Sequence, residues 1–177
     1  MKKSKLFCLI FITAASLAAS SLSNAQSKES GKFIVSFDGF GPVKIGMTAA
    51  EAAKVLGVRV TRDPGYEDNS CYYTSPKGGF EKIAFMMSGR RIARIDIDSK
   101  EYATDRGAKI GDTEARIKSL YKGMYKVLRH EYVDAGHYIE VEANGGKTRI
   151  IFETNGKRVV TFRVGRPEQV GYVEGCS

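Results

Sequence analysis

Apolar and polar residues alternate in eight short runs along the chain, at 58–61, 71–74, 80–87, 91–98, 125–132, 137–143, 148–154 and 158–164. Period-two alternation predicts strands with one buried and one wet face. In the run 91–98, Ala93, Ile95 and Ile97 share one face and Arg94, Asp96 and Asp98 the other. Ser88-Gly89-Arg90, Asn144-Gly145-Gly146 and Asn155-Gly156 separate neighbouring runs and predict hairpins, because these residues accept positive φ cheaply. Twice the spacing becomes helical. After Thr48, Ala52, Val55 and Leu56 fall at i, i+3 and i+4, with Glu51 placed to complete a capping box and Gly57 to stop the helix. A second helix is predicted around Ile117, Leu120 and Tyr121. An opening strand is expected over 32–37.

The two helical segments repeat. Residues 43–56 align without a gap to 108–121, with Lys44, Ile45, Gly46, Thr48 and Ala50 identical to Lys109, Ile110, Gly111, Thr113 and Ala115. Residues 82–92 lie over 149–159, also without a gap, and Tyr72 falls opposite Tyr138. The offset grows only from 65 to 67 residues, so the duplication covers a whole unit. The expected fold is α+β: two tandem α-β4 repeats, with helices packed on one face of an antiparallel sheet. The expected divisions are a signal peptide at 1–25, an N-terminal segment and opening strand at 26–40, and a first repeat at 41–98. A linker at 99–106, a second repeat at 107–164 and a tail at 165–177 follow.

The N-terminus changes the compartment. A basic start, an apolar run from Leu6 to Ala19 and Ser23-Asn24-Ala25 predict a secretory signal cleaved between Ala25 and Gln26. The apolar run is too short to span a bilayer comfortably, and Cys8 lies inside it with no lipobox, so no anchor or transmembrane segment is expected to remain. Removing 1–25 leaves 25 Lys and Arg against 20 Asp and Glu, a net charge of +5. This basicity reads mainly as a solvated surface, and export makes nucleic acid an unexpected partner. Cys71 and Cys176 are the cysteines left, an even count that predicts one disulfide in an oxidising compartment.

The pattern Ile45-Gly46-Met47-Thr48-x-x-Glu51-Ala52-x-x-x-Leu56-Gly57, ahead of an antiparallel sheet, resembles two families. It is similar to the tandem-repeat β-lactamase-inhibitor-protein-like (BLIP-like) proteins and to the outer-membrane assembly lipoproteins of the BamE/SmpA class. The resemblance covers roughly 42–98 and 107–164. It implies non-enzymatic binders in the envelope or outside the cell and, for the inhibitor proteins, one curved sheet whose concave face grips an enzyme. The chain departs from the inhibitors in lacking tryptophan and in where its cysteines lie. It departs from the lipoproteins in having two units and no lipobox, so the resemblance carries architecture and no site residue.

Little in the chain announces catalysis. His130-Glu131 and Asp134-Ala135-Gly136-His137 gather imidazoles and carboxylates, the types used in metal and acid–base sites, but no motif fixes a third ligand. Gly39-Phe40-Gly41 and Gly145-Gly146 have no Gly-Lys-Ser/Thr to make a phosphate loop, and there is no Gly-x-Ser-x-Gly elbow. More suggestive are Tyr72, Tyr73, Tyr132 and Tyr138, which can stack on a sugar or fill a protein interface. Alternation sends Tyr72 and Tyr73 to opposite faces. With Arg94, Asp96 and Arg163 they form the candidate binding set. The expectation is a periplasmic or secreted, non-enzymatic protein without cofactor or metal, which binds or inhibits an envelope or extracellular protein through its exposed sheet face. A carbohydrate-binding module is the alternative, and a small hydrolase or metal-binding protein using His130 and His137 a distant one.

Overall fold

A computed structural model describes residues 33–143 and 145–176. The signal segment 1–25 and the Ala25–Gln26 cleavage point lie outside the described residues. The expected opening strand is short: β1 (Val35–Ser36), β2 (Gly39–Phe40) and β3 (Val43–Lys44) make a small antiparallel sheet of three strands. Gly39 turns the chain back at once, with φ +149°, and a Cβ there would sit 2.1 Å from the Val43 carbonyl oxygen.

Helix α1 (Ala49–Leu56) begins as its sequence dictates. Thr48 Oγ1 accepts from Glu51 N at 3.2 Å, Glu51 Oε2 accepts from Thr48 N at 2.7 Å, and Gly57 ends the helix in the left-handed region. Strands β4 (Val60–Arg62), β5 (Cys71–Pro76), β6 (Ile83–Ser88) and β7 (Arg91–Ile97) follow. Helix α2 (Glu114–Leu120) is capped by Thr113 Oγ1, which accepts from Arg116 N at 3.2 Å. Then come β8 (Tyr125–Arg129), β9 (His137–Glu142), β10 (Arg149–Thr154), β11 (Val159–Gly165) and a short helix α3 (Pro167–Gly171).

The main sheet has eight antiparallel strands in the order β4-β5-β6-β7-β11-β10-β9-β8. Two consecutive meanders thus meet along β7 and β11, where Ile95 faces Val164 and Asp96 faces Arg163. The strands fall where alternation predicts them, with ends shifted by a few residues. Each helix lead-in docks on the end strand of a meander. Gly46 N donates to Ile92 O at 2.7 Å and Ile92 N to Met47 O at 2.8 Å; Gly111 N donates to Val159 O and Val159 N to Asp112 O, both at 2.9 Å.

One sheet face carries the core. Phe85, Ile95, Phe152, Phe162 and Val164 are buried there with Ala52 of α1, Ile117 of α2 and Phe40 and Val43 of the small sheet. The segment 99–106, expected as a linker, contributes to this core. The Tyr102 ring meets Phe40 edge-on at 4.8 Å, and Thr104 Oγ1 accepts from the Tyr121 hydroxyl at 2.8 Å. The other face carries a second, smaller apolar cluster, in which Val170 of α3 packs on Tyr138 and Ile151. Helices α1 and α2 contribute to the first cluster and α3 to the second, so the fold is α+β and antiparallel as expected but its helices do not share one face. The tail folds back because Pro167 starts a helix turn, Val170 has an apolar patch to cover, and Cys176 is bonded to Cys71 on β5.

Candidate functional site

The tail from 166 to 176 crosses the second sheet face as a strap, and its anchors are the residues that alternation assigns to the wet side. Arg94 is 6 % exposed and donates from Nη1 to Tyr172 O at 2.6 Å and to Gln169 O at 3.3 Å. Arg163 is 5 % exposed and donates from Nε to Val170 O at 2.7 Å. Each guanidinium also meets a carboxylate: Arg94 Nε lies 2.7 Å from Asp96 Oδ1, and Arg163 Nη1 3.0 Å from Glu153 Oε2. Charge-assisted bonds to backbone carbonyls let these cations be buried, since every desolvated donor direction they use finds an acceptor.

Under the strap's edge lies a closed polar cluster. His130 Nδ1 accepts the Tyr132 and Val133 amide hydrogens at 3.0 and 3.2 Å, so the ring proton is assigned to Nε2, which donates to Glu153 Oε1 at 3.0 Å. The imidazole stacks on Tyr138 with centroids 4.6 Å apart, and Tyr138 is 5 % exposed. His137 points to the opposite face, where Nδ1 lies 2.8 Å from Glu114 Oε1 of α2; Glu114 Oε1 also accepts from Thr154 Oγ1 at 2.6 Å. The two histidines do not share a cleft, so the paired-histidine site is not assembled. Among the described residues, no group of three or more His, Cys, Asp and Glu has a metal-binding arrangement.

Beside the strap, over the central strands from β5 to β10, a groove of about 280 Å³ remains open, bounded on the strap side by Val173. Tyr73, Ala84, Asp96, Asp98, Glu153 and Thr161 line it, with Arg94 and Arg163 at its buried wall. Its polar groups are held in place from below. Asp98 accepts from the Thr161 hydroxyl, and Asp96 is fixed through Oδ1 by Arg94. Asp96 Oδ2 is buried, and the Tyr73 hydroxyl is the neighbouring donor that interacts with the Asp96 carboxyl. Burial pushes the Asp96 carboxyl above its usual range, against the pull of the Arg94 charge. Burial, the neighbouring Asp96 charge and a hydrogen bond to Asp96 push the Tyr73 hydroxyl upward as well. The groove thus gathers three carboxylates against two guanidiniums that also serve the strap, with the Tyr73 and Thr161 hydroxyls as its neutral donors.

The candidate binding set is therefore split. Tyr73 and Asp96 line the groove, while Arg94, Arg163 and Tyr138 lie buried beneath the strap instead of forming a free face. Tyr72 is on the core face, with the Arg62 guanidinium 4.1 Å above its ring. Tyr132 is 66 % exposed beside the strap, its hydroxyl bonded to Glu174. The four tyrosines form no common stacking platform. Cys71 and Cys176 are joined, with Cα atoms 5.4 Å apart. Sequence reasoning missed Glu153, which belongs to both cluster and groove. Its signal was a charge at a position where the aligned first unit has Met86.

No helix among the described residues is long and apolar enough to cross a membrane. No protein-family model matches the sequence, and no curated protein matches it. Solved structures similar to parts of the chain include the following two. The uncharacterized protein yfeY from Escherichia coli aligns with 75 % of this chain and 99 % of its own, at 19 % identity and a TM-score of 0.49. A DUF4309 family protein, YjgB, from Bacillus subtilis aligns with 77 % of this chain and 89 % of its own, at 12 % identity and a TM-score of 0.46.

Proposed function

We propose that the chain is an exported, non-enzymatic binding protein built from two α-β4 units. In this reading it holds an envelope or extracellular protein, by inserting that partner's cationic side chain into the groove beside the strap. Several contacts support the duplication. The β-bulges between Met86 and Met87 and between Glu153 and Thr154 fall at aligned positions. The lead-in bonds of Gly46 and Gly111 match, as do those from Arg91 Nη1 to Gly46 O and from Arg158 Nη1 to Gly111 O. These also favour the inhibitor-like architecture over the single-unit lipoprotein one.

The observation that carries the binding reading is the grouping of three carboxylates, Asp96, Asp98 and Glu153, around one groove on this face. Grouped carboxylates gain from an added cation, and a Lys or Arg from a partner supplies one through charge-assisted hydrogen bonds. The groove's walls are a sheet and a disulfide-closed strap, so they are preorganised and little ordering is needed on binding. A glycan reading loses its tyrosine platform. A photo-crosslinker at Ala84 tests the proposal, with Val55 on α1 as control, in cells that express the protein. The expected result is a discrete protein adduct from Ala84 that Asp98→Lys abolishes. Identical adducts from both positions, or an adduct indifferent to Asp98→Lys, would reject it.

A further inference from the structure

Strand β8 ends the main sheet, and all five of its residues are exposed. Its inner edge is paired with β9. His130 N donates to Gly136 O and Glu142 N to Met124 O, which fixes the phase of the ladder. In an antiparallel ladder the bonded positions alternate, so Lys126 and Leu128 bond β9, while Tyr125, Val127 and Arg129 turn their N–H and C=O groups outward. Among the described residues no strand meets that outer edge. Edge strands are usually blunted by proline, bulges, charged side chains or extreme shortness. β8 has no proline, its pairing with β9 runs without a register shift, and it exposes Tyr125, Val127 and Leu128, while its two cations, Lys126 and Arg129, are met within the chain by Glu140 and Asp134. The opposite edge, β4, is only three residues long.

We propose that the occupant of this edge is β8 of a second copy, paired antiparallel about a two-fold axis through Val127. The register follows from two independent conditions. Centred on Val127, the pairing sets Tyr125 opposite Arg129 and Val127 opposite itself. All outward N–H and C=O groups then meet partners. The same register places Lys126 opposite Leu128 and the Arg129 guanidinium beside the Tyr125 ring, so no cation faces a cation. Moving the axis to Lys126 puts two lysines face to face. Moving it to Leu128 leaves Tyr125 unpaired. The Lys126 charge is already met within its own chain by Glu140, 2.7 Å away, which leaves its stem to pack on Leu128. Both sheets keep the same side up, giving a continuous sheet across the axis.

One five-residue strand pair is an interface at the small end, below about 1,200 Å² in total, so the dimer dissociates on dilution. Sedimentation equilibrium of the purified protein at physiological salt should show the mass rising from monomer toward dimer between about 10 μM and 1 mM. Val127→Lys and Val127→Glu, at an exposed position outside the core, should each stay monomeric with unchanged circular dichroism. An equimolar mixture of the two should recover the dimer. A wild-type protein monomeric throughout that range overturns the proposal, as does a Val127→Lys variant that associates like wild type. Two monomeric variants whose mixture also stays monomeric overturn the register.

Discussion

Removing Arg163 should destabilise the protein far more than its place on a nominally wet strand face suggests. Its side chain is 6 % exposed and joins three elements: Glu153 on β10, the Val170 carbonyl in α3 and, through Glu153, His130. At 3.0 Å and an effective dielectric near 20, the attraction to Glu153 is about 5 kcal/mol before desolvation is subtracted. Arg163→Met keeps most of the volume but leaves Glu153 with one donor and Val170 O with none. Loss of one member of a buried pair costs about 3–5 kcal/mol. Glu153 remains partly open to water, so the lower half of that range is expected, equivalent to a melting shift of roughly 6–16 °C for a chain of this size. The double variant Glu153→Met, Arg163→Met removes both charges and should recover much of the loss, giving a coupling energy of at least about 1 kcal/mol in urea titrations. Hydrogen exchange should show the amides of 170–176 opening faster in the single variant. A single variant within about 1 kcal/mol of wild type, the worth of an exposed pair, would refute the reasoning.

Replacing Cys71 and Cys176 by serine frees a loop closed across 105 residues and should cost about 2–5 kcal/mol in chemical denaturation. Exchange at Gly175 should accelerate while Val170 stays protected, because the arginine anchors remain; equal acceleration at both would show that the disulfide alone holds the strap. Gly156→Ala should lower stability by more than about 2 kcal/mol, since the residue has φ +86° and its new Cβ would lie 2.1 Å from Ala135 O; an unchanged melting temperature would contradict that geometry. Burial pushes the Glu114 carboxyl up, but hydrogen bonds from Thr154, His137 and Lys118 outweigh it and hold the group below its ordinary 4.5. Its stabilising contribution is therefore complete above 4.5 and lost as pH falls through the lowered folded value, so Glu114→Gln should flatten the acid limb of the stability curve. Burial pushes the Tyr121 hydroxyl up to about 12, against the opposing bond to Thr104, so stability should fall from about pH 10 upward and fall less in Tyr121→Phe.

The parts of the fold that the sequence makes legible are those set by short-range physics. The capping box at Thr48 and Glu51 needs only three residues of spacing and one stripe of apolar positions. Asn155-Gly156 marks its hairpin because Gly156 takes φ +86° where other residues strain. Tyr72 and Tyr73 part to opposite faces because a strand leaves adjacent side chains no other choice. Boundaries blur where nothing local fixes them. β8 stops at Arg129, short of 132, because the chain must bend for His130 to accept the amides of Tyr132 and Val133.

Arg94 and Arg163 show what alternation leaves open. It sorts side chains between two faces, and the cluster of Phe85, Ile95, Phe152 and Phe162 makes one of them the core. It is silent about whether something else lies over the other. That question is decided by eleven residues that belong to no repeat, and their signals are individually weak: a Pro167 after Arg166, one Val170, a cysteine near the end. Taken together they require a partner surface, since Val170 needs apolar contact and Cys176 must reach Cys71. A strap of bare backbone over two arginines also supplies what those side chains lack, carbonyl oxygens at Gln169, Val170 and Tyr172. The same strap narrows the open sheet face to the groove around Asp96. In the proposed binding reading the partner therefore meets this face at that groove, through Asp96, Asp98 and Glu153.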